Sequence, residues 1–336
     1  MKGLDALVRE RVLVSDGAMG TMLQEMGLRT GGCPDELNLS KPKVVQEVHE
    51  AYIEAGADII TTNTFGGNSI RLGQFGLESE VEAINSRGVA IAREASKGRV
   101  LIAGSIGPTG AMLEPFGELS FDEAYQAFRE QALALFKAGC DLFMIETMTD
   151  LKELKAAVLA CRDVAEVPIS AQLSFEESGR TVTGTDARTA AVFLSSLKVS
   201  ALGSNCGSSL SSMEQVVKAM AEEVSTPIIA QPNAGIPRMV DGRAFYGATP
   251  DEIADFALRF VEAGANVVGS CCGSTPQHTR AISKSVKGMK PKTRRTISGT
   301  KITSRTRTVY IGQDHPFLLV GERINPTGRK GLALDI

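Results

Sequence analysis

The chain has 336 residues, 43% hydrophobic and 22% charged, with a formal net charge of −3. That balance is ordinary for a soluble globular protein and excludes a global electrostatic footprint for nucleic acid. No run of about 18 apolar residues is present, and MKGLDALVRERVLVSDG is too charged for a secretion signal, so a cytoplasmic protein with neither nucleic-acid nor membrane partners is expected.

Short apolar runs alternate with amphipathic stretches along the chain, the grammar of βα units. The first strand is predicted at 11–15 and ends in the loop DGAMGT. A helix at 43–55 leads to a strand at 58–62, a helix at 80–96 to a strand at 100–105, and a helix at 121–138 to a strand at 141–146. Helices at 151–164, 187–197, 213–223 and 251–263 then precede strands at 168–173, 199–205, 227–231 and 266–270. A last helix is predicted at 275–287. Three joints repeat nearly the same words, IEAGADII, FKAGCDLFMI and VEAGANVVGS, each with a glycine to end the helix and a polar residue to start the strand. Eight units with short joints predict an α/β fold, a closed (β/α)8 TIM barrel over 1–287, with an open doubly wound sheet as the rival.

Beyond Lys287 the alternation stops. No acidic residue occurs from Ala281 to Gln313, while Lys284, Lys287, Lys290, Lys292, Arg294, Arg295, Lys301, Arg305 and Arg307 are basic. With a single aromatic residue to stack bases, this stretch reads as a solvated linker, 288–312, rather than a nucleic-acid arm. The end, 313–336, begins with another strand-like run and reads as the opening of a further domain.

Barrel active sites lie at the C-terminal strand ends. Those ends carry Asp16, Thr62 and Asn63, Ser105 and Gly107, Glu146 and Thr147, Gln172, Asn205 and Cys206, Gln231 and Asn233, then Cys271 and Cys272. No lysine is among them, which counts against Schiff-base chemistry. His49 and His278 fall on predicted helices and His315 near the tail, where surface or capping roles are expected.

Six cysteines over this length are not a disulfide framework. Three of them, Cys206, Cys271 and Cys272, sit at strand ends and point to zinc with an open fourth position. A substrate thiol would fill that position, because coordination removes a proton that a free thiol mostly keeps at neutral pH. Asp16 and Glu146 then suit a substrate ammonium group, and the amides of Gly17, Ala18 and Met19 in DGAMGT suit a carboxylate. An amino-acid thiol matches all three. Asn233, ending the strand between the two that bear cysteines, is a further candidate contact and a possible fourth zinc ligand. Other readings stand beside these: a vicinal disulfide at Cys271 and Cys272, a phosphate nest in GSCCGST, and loop capping by Asp16 and Glu146. Cys140 and Cys161 read as buried; Cys33 is placed where it could approach the mouth.

SDGAMGT, NTFGGN, GSIGPTG, MIETMTD, TVTGTD, GSNCG, QPNAG and GSCCGSTPQH follow in order between Val12 and His278. Together they resemble the homocysteine S-methyltransferase family, and within it the homocysteine-binding barrels of the cobalamin-dependent methionine synthase type. The resemblance implies zinc on Cys206, Cys271 and Cys272, homocysteine sulfur as fourth ligand, and Asp16 and Glu146 at its amino group. It implies a methyltransferase that presents homocysteine as a zinc thiolate to a methyl donor, methylcobalamin on a module absent from this chain, giving methionine. VGERINPTGRKG resembles the start of the folate-binding (pterin) domain that follows in that branch. The implied partners are therefore a cobalamin-binding module and a folate-binding domain. Betaine or S-methylmethionine as donor, and a non-catalytic zinc scaffold, are the alternatives. The chain departs from the family pattern at Gln231, where an acidic residue is common, and at Ser105, where aspartate is.

Overall fold

The computed structural model describes residues 3–28, 31–207, 209–240, 243–294, 299–313 and 315–319. In chain order the strands are β1 (Leu13–Val14), β2 (Ile59–Thr61), β3 (Leu101–Ile106), β4 (Leu142–Met148), β5 (Ile169–Leu173), β6 (Ala201–Cys206), β7 (Ile228–Pro232), β8 (Arg238–Val240), β9 (Arg243–Phe245), β10 (Val267–Val268), β11 (Thr300–Thr303) and β12 (Thr308–Ile311). Eight of them lie in one sheet ordered β1-β10-β7-β6-β5-β4-β3-β2, with every pairing parallel. The two ends of that order meet: Ser15 bridges Ile59 in parallel, and the Asp16 N–H donates to the Ile59 carbonyl at 3.0 Å. The sheet is a (β/α)8 barrel, as the alternation predicts.

The helices are α1 (Leu4–Glu10), α2 (Gly20–Glu25), α3 (Leu37–Ser40), α4 (Pro42–Ala55), α5 (Ser69–Gly73), α6 (Val81–Ser96), α7 (Phe121–Lys137), α8 (Leu151–Val164), α9 (Ala187–Ser196), α10 (Leu210–Glu223), α11 (Pro250–Ala263) and α12 (Pro276–Val286). The eight predicted helices correspond to α4 and α6 to α12. Their starts are written in the sequence: Ser120, Asp150, Asp186, Ser209 and Thr249 each accept a backbone N–H of the first turn. Elements outside that pattern complete the barrel floor and rim. The charged N-terminus forms α1, whose Leu4 and Val8 are buried against Leu13, Ile59, Leu101, Leu142 and Val267 and so plug the bottom of the barrel. Burial of two such side chains stabilises by about 1.5–3 kcal/mol each. The hairpin β8–β9 rises from the loop after β7.

Residues of the expected linker form the antiparallel hairpin β11–β12, which lies along the outside of the barrel. Glu223, whose side chain is fully buried, receives Arg188 at 2.7 Å, Tyr310 at 2.8 Å and Lys301 at 3.0 Å. At the hairpin turn, Arg305 pairs with Asp150 at 3.2 Å and stacks 4.4 Å from the Phe116 ring. Residues 320–336, most of the expected start of a further domain, lie outside the described residues. Among the described residues no helix is long and apolar enough to cross a membrane.

His49 needs correction. It is neither a surface nor a capping residue: it is completely buried on α4, and neither ring nitrogen has a hydrogen-bond partner among the described residues. His278 does cap, its Nδ1 accepting the Thr275 N–H at 3.1 Å.

Candidate metal and substrate site

Polarity rises inside the barrel from floor to mouth. Above the aliphatic floor, Gln172 Nε2 donates to Gln231 Oε1 at 2.8 Å, and Gln231 Nε2 donates to Ser15 Oγ at 3.2 Å. Gln231 thus closes a neutral chain across the interior where a carboxylate would lack a cation.

Over this layer three sulfurs meet. Cys206 ends β6, and Cys271 and Cys272 follow β10; all three Sγ atoms lie within 4.8 Å of one another. Cys206 and Cys271 are 3.0 Å apart and Cys271 and Cys272 are 4.0 Å apart, and all are free thiols, with no vicinal disulfide. The backbone turns sharply to bring them together. Cys206 has φ of 54°, a left-handed conformation that is sparsely populated outside glycine and costs on the order of 1–3 kcal/mol. Gly273 has φ of 77°, and a Cβ there would lie 2.1 Å from Tyr246. Only glycine fits.

Four of the amides that a phosphate nest would need are already engaged. Cys271 N–H donates to Pro232 O at 2.7 Å, Gly273 N–H to Thr21 Oγ1 at 3.2 Å, Ser274 N–H to Cys271 O at 3.2 Å, and Thr275 N–H to His278. The loop presents thiols rather than donors.

In this cluster Cys272 is held down as the thiolate by hydrogen bonds from Cys206 and then Cys271, against the effect of burial. Cys271 is pushed well above the ordinary thiol range by its bonds to Cys206 and Cys272, with burial adding. A divalent cation is what would let all three ionise together. Asn233 adds an oxygen with the same need. It is 7% exposed, its Nδ2 donates to Gly207 O at 3.2 Å, and its Oδ1 is buried with no partner among the described residues. The donor set, three soft sulfurs beside one unpaired amide oxygen, fits zinc. Cys33 does not join it; it is buried with Leu72, Val81 and Ile84.

The carboxyl groups border the sulfurs. Burial pushes Glu146 up to about 7, opposed by the hydrogen bond from Ser105 Oγ at 2.5 Å and reinforced by Cys272. Asp16, 2% exposed, is pushed up to about 8 by burial, which outweighs the Thr61 N–H at 2.7 Å; the Glu146 charge adds to the rise. Neither has an ion-pair partner among the described residues. Asp16 also ties β1 to β2, since Thr61 Oγ1 donates to its carboxylate as well.

The loop after β1 is clamped to the cysteine loop. Ala18 N–H donates to Ser274 Oγ at 3.1 Å, and Tyr52 donates to Ala18 O at 2.8 Å. Gly17 sits so close that a Cβ would lie 2.5 Å from Ser274 Oγ. The Ala18 amide is therefore taken, while those of Gly17 and Met19 have no bond among the described residues. Sequence reasoning placed Thr147 and Asn205 at strand ends without giving them a role, and it passed over Tyr52, Tyr246 and Ser274. Their positions depend on the closure of the barrel, which no local pattern records.

A family model described as homocysteine S-methyltransferase matches residues 13–286. The methionine synthase of Mycobacterium tuberculosis is 33% identical over 346 residues, covering 98% of this chain and 29% of that protein. That of Mycobacterium leprae is 32% identical over 344 residues, covering 96% of this chain and 28% of that protein. The chain spans less than a third of the length of these curated relatives. Among solved structures, the metallated form of the homocysteine methyltransferase MmuM from Escherichia coli gives a TM-score of 0.72 at 24% identity, covering 84% of this chain and 98% of that one. Its oxidized form gives 0.70, also at 24% identity, covering 81% and 95%. At that identity these structures speak to the barrel alone. The family match over most of the chain, with relatives a third identical along nearly all of it, shows that the chain belongs to the homocysteine S-methyltransferase family.

Proposed function

We propose that the chain is the homocysteine-activating module of a methionine synthase, with zinc held by Cys206, Cys271 and Cys272. The observation that carries this reading is the meeting of three thiols and no imidazole at the barrel mouth. Zinc bound there supplies the Lewis acidity that takes the proton from the homocysteine thiol and keeps its sulfur nucleophilic at neutral pH. Glu146 and Asp16 meet the substrate ammonium group, which explains two buried carboxyl groups without basic partners. The amides of Gly17 and Met19 receive the carboxylate, and Asn233 Oδ1 serves as the remaining ligand until substrate arrives. The methyl donor is methylcobalamin carried on a module beyond this chain, and residues 313–336 begin a folate-binding domain after the barrel of 1–287 and the linker of 288–312.

The test is methionine formation by the purified chain from homocysteine and free methylcobalamin. Slow, zinc-dependent turnover that rises with donor concentration is expected, since no module raises the local donor concentration. Undiminished turnover after removal of zinc by chelator would contradict the role of the thiols. Zinc-dependent turnover with betaine would move the chain to another donor class.

A further inference from the structure

The segment that carries Glu146 is fastened residue by residue. Glu146 accepts Ser105 Oγ at 2.5 Å, Thr147 N–H donates to Asn205 Oδ1 at 2.7 Å, Met148 O accepts Ser174 N–H at 2.8 Å, and Thr149 O accepts Thr183 Oγ1 at 2.8 Å. All four partners lie within the βα units of the barrel. The next residue, Asp150, is 6% exposed and divides its carboxylate: Oδ1 accepts the Lys152 N–H at 3.0 Å and so caps α8, while Oδ2 lies 3.2 Å from Nη2 of Arg305 in the turn of the outer hairpin. The backbone delivers Arg305 to that place. Thr185 Oγ1 donates to its carbonyl at 2.7 Å, and Thr308 Oγ1 at the start of β12 donates to Thr189 Oγ1 at 3.2 Å. The guanidinium stacks 4.4 Å from the Phe116 ring, in the loop after β3. Its Nε and Nη2 are buried and make no hydrogen bond among the described residues, so the Asp150 charge and the ring are what hold it. One residue from beyond the barrel thus touches the loops after β3, β4 and β5.

We propose that Arg305 is a positioning residue of the homocysteine site, holding Asp150 in place and with it the short loop on which Glu146 is set. The proposal rests on reading Glu146 as the acceptor of the substrate ammonium group. Without the guanidinium, Asp150 is a buried carboxylate with no cation, and the loop relieves that cost by carrying it toward water. Glu146 lies on the same short segment, so it leaves the geometry that meets the ammonium. The hairpin that follows the barrel in the chain thereby completes the substrate site.

The experiment measures, by calorimetry, how the zinc-loaded chain binds homocysteine and γ-mercaptobutyrate, which has the same thiol and carboxylate but no amino group. Arg305→Gln should bind homocysteine about 10-fold more weakly, within the range for residues that act through a packed network. Its zinc content and melting temperature should be little changed, since a partly exposed ion pair adds little to stability. Its affinity for γ-mercaptobutyrate should equal that of the wild type, and Arg305→Lys should recover most of the homocysteine affinity. Asp150→Asn keeps the cap but not the charge, so in that background Arg305→Gln should cost nothing further. Wild-type homocysteine affinity in Arg305→Gln overturns the proposal. So does an equal loss for both ligands, which would mean a general loosening of the mouth. An undiminished loss in the Asp150→Asn background also overturns it, because Arg305 would then not act through Asp150. A wild type that binds the two ligands equally would instead overturn the reading of Glu146.

Discussion

Asn205 and Thr147 hold each other by two hydrogen bonds of 2.7 Å running in opposite directions: Thr147 N–H donates to Asn205 Oδ1, and Asn205 Nδ2 donates to Thr147 Oγ1. Thr147 is β-branched and has φ of 58°, so it needs that support. Glu146 precedes it in sequence, and the Cys206 sulfur lies 3.9 Å from its hydroxyl. One amide side chain therefore braces a carboxyl group and a thiol together. Asn205→Ala leaves a backbone N–H without its acceptor, and a loss of about 1–3 kcal/mol in stability is expected. Turnover should fall by about 100-fold through misplacement of Glu146 and Cys206. Urea unfolding and steady-state kinetics measure both; a variant with wild-type stability and rate would deny Asn205 this role.

Glu146→Gln preserves the shape and the Ser105 hydrogen bond but removes the charge. Homocysteine binding by calorimetry should weaken about 10- to 100-fold, the range for a lost charged hydrogen bond, with zinc content unchanged. The wild-type affinity should rise with pH through about 7 to 8, as Glu146 and then Asp16 ionise against an ammonium group that stays charged. The variant should lose the lower part of that rise. Loss of zinc in Glu146→Gln would make Glu146 a metal ligand instead.

His49 titrates at about 4, lowered from the ordinary 6.5 by burial. A depressed folded value means that the unfolded chain binds the proton first, so stability present above pH 6.5 is lost as pH falls toward 4. The loss is on the order of 3 kcal/mol for this one group. Since Asp16, Glu146 and Asp35 have raised values that act in the opposite direction, the informative quantity is the stability of the wild type relative to His49→Leu. That difference should shift against the wild type between pH 7 and pH 4. A constant difference would show that His49 is solvated.

Glu223 fastens the outer hairpin through Lys301 and Tyr310. Glu223→Ala removes the carboxylate but keeps the backbone carbonyl to which Lys301 Nζ donates at 2.6 Å, and the hairpin can peel away and return the ammonium to water, which limits the penalty on the barrel. Trypsin should then cut at Arg305 or Arg307 at least 10-fold faster at equal enzyme, with the barrel's melting temperature little changed. Equal cleavage rates would place the hairpin's hold elsewhere, in the contacts of Arg305 with Asp150 and Phe116.

The barrel was legible because each βα unit carries its own punctuation: a cap such as Asp150 or Ser120, an amphipathic stretch, and an apolar run. The thiol site was legible for the same reason, since Cys206, Cys271 and Cys272 stand next to strands whose ends share one face. What could not be read was set by contacts distant in sequence. Leu4 and Val8 look like one turn of a charged terminus until strand residues as distant as Leu142 and Val267 surround them. The amide of Ala18 looks free in DGAMGT until Ser274, 256 residues away, accepts it. His49, by contrast, stands in the regular stripe of α4 with Val45, Val48, Tyr52 and Ile53, so its position in the helical period agreed with burial and only its polarity argued for the surface. Gln231 and Ser105, the two departures from the family pattern, became intelligible only as neighbours of Gln172 and Glu146.

In the proposed site three thiols hold a zinc ion whose remaining position is given up to the substrate's sulfur. X-ray absorption at the zinc edge of the loaded protein tests it directly. A shell of three sulfurs and one oxygen or nitrogen is expected, becoming four sulfurs when homocysteine is added. A shell that stays the same with saturating homocysteine would contradict it.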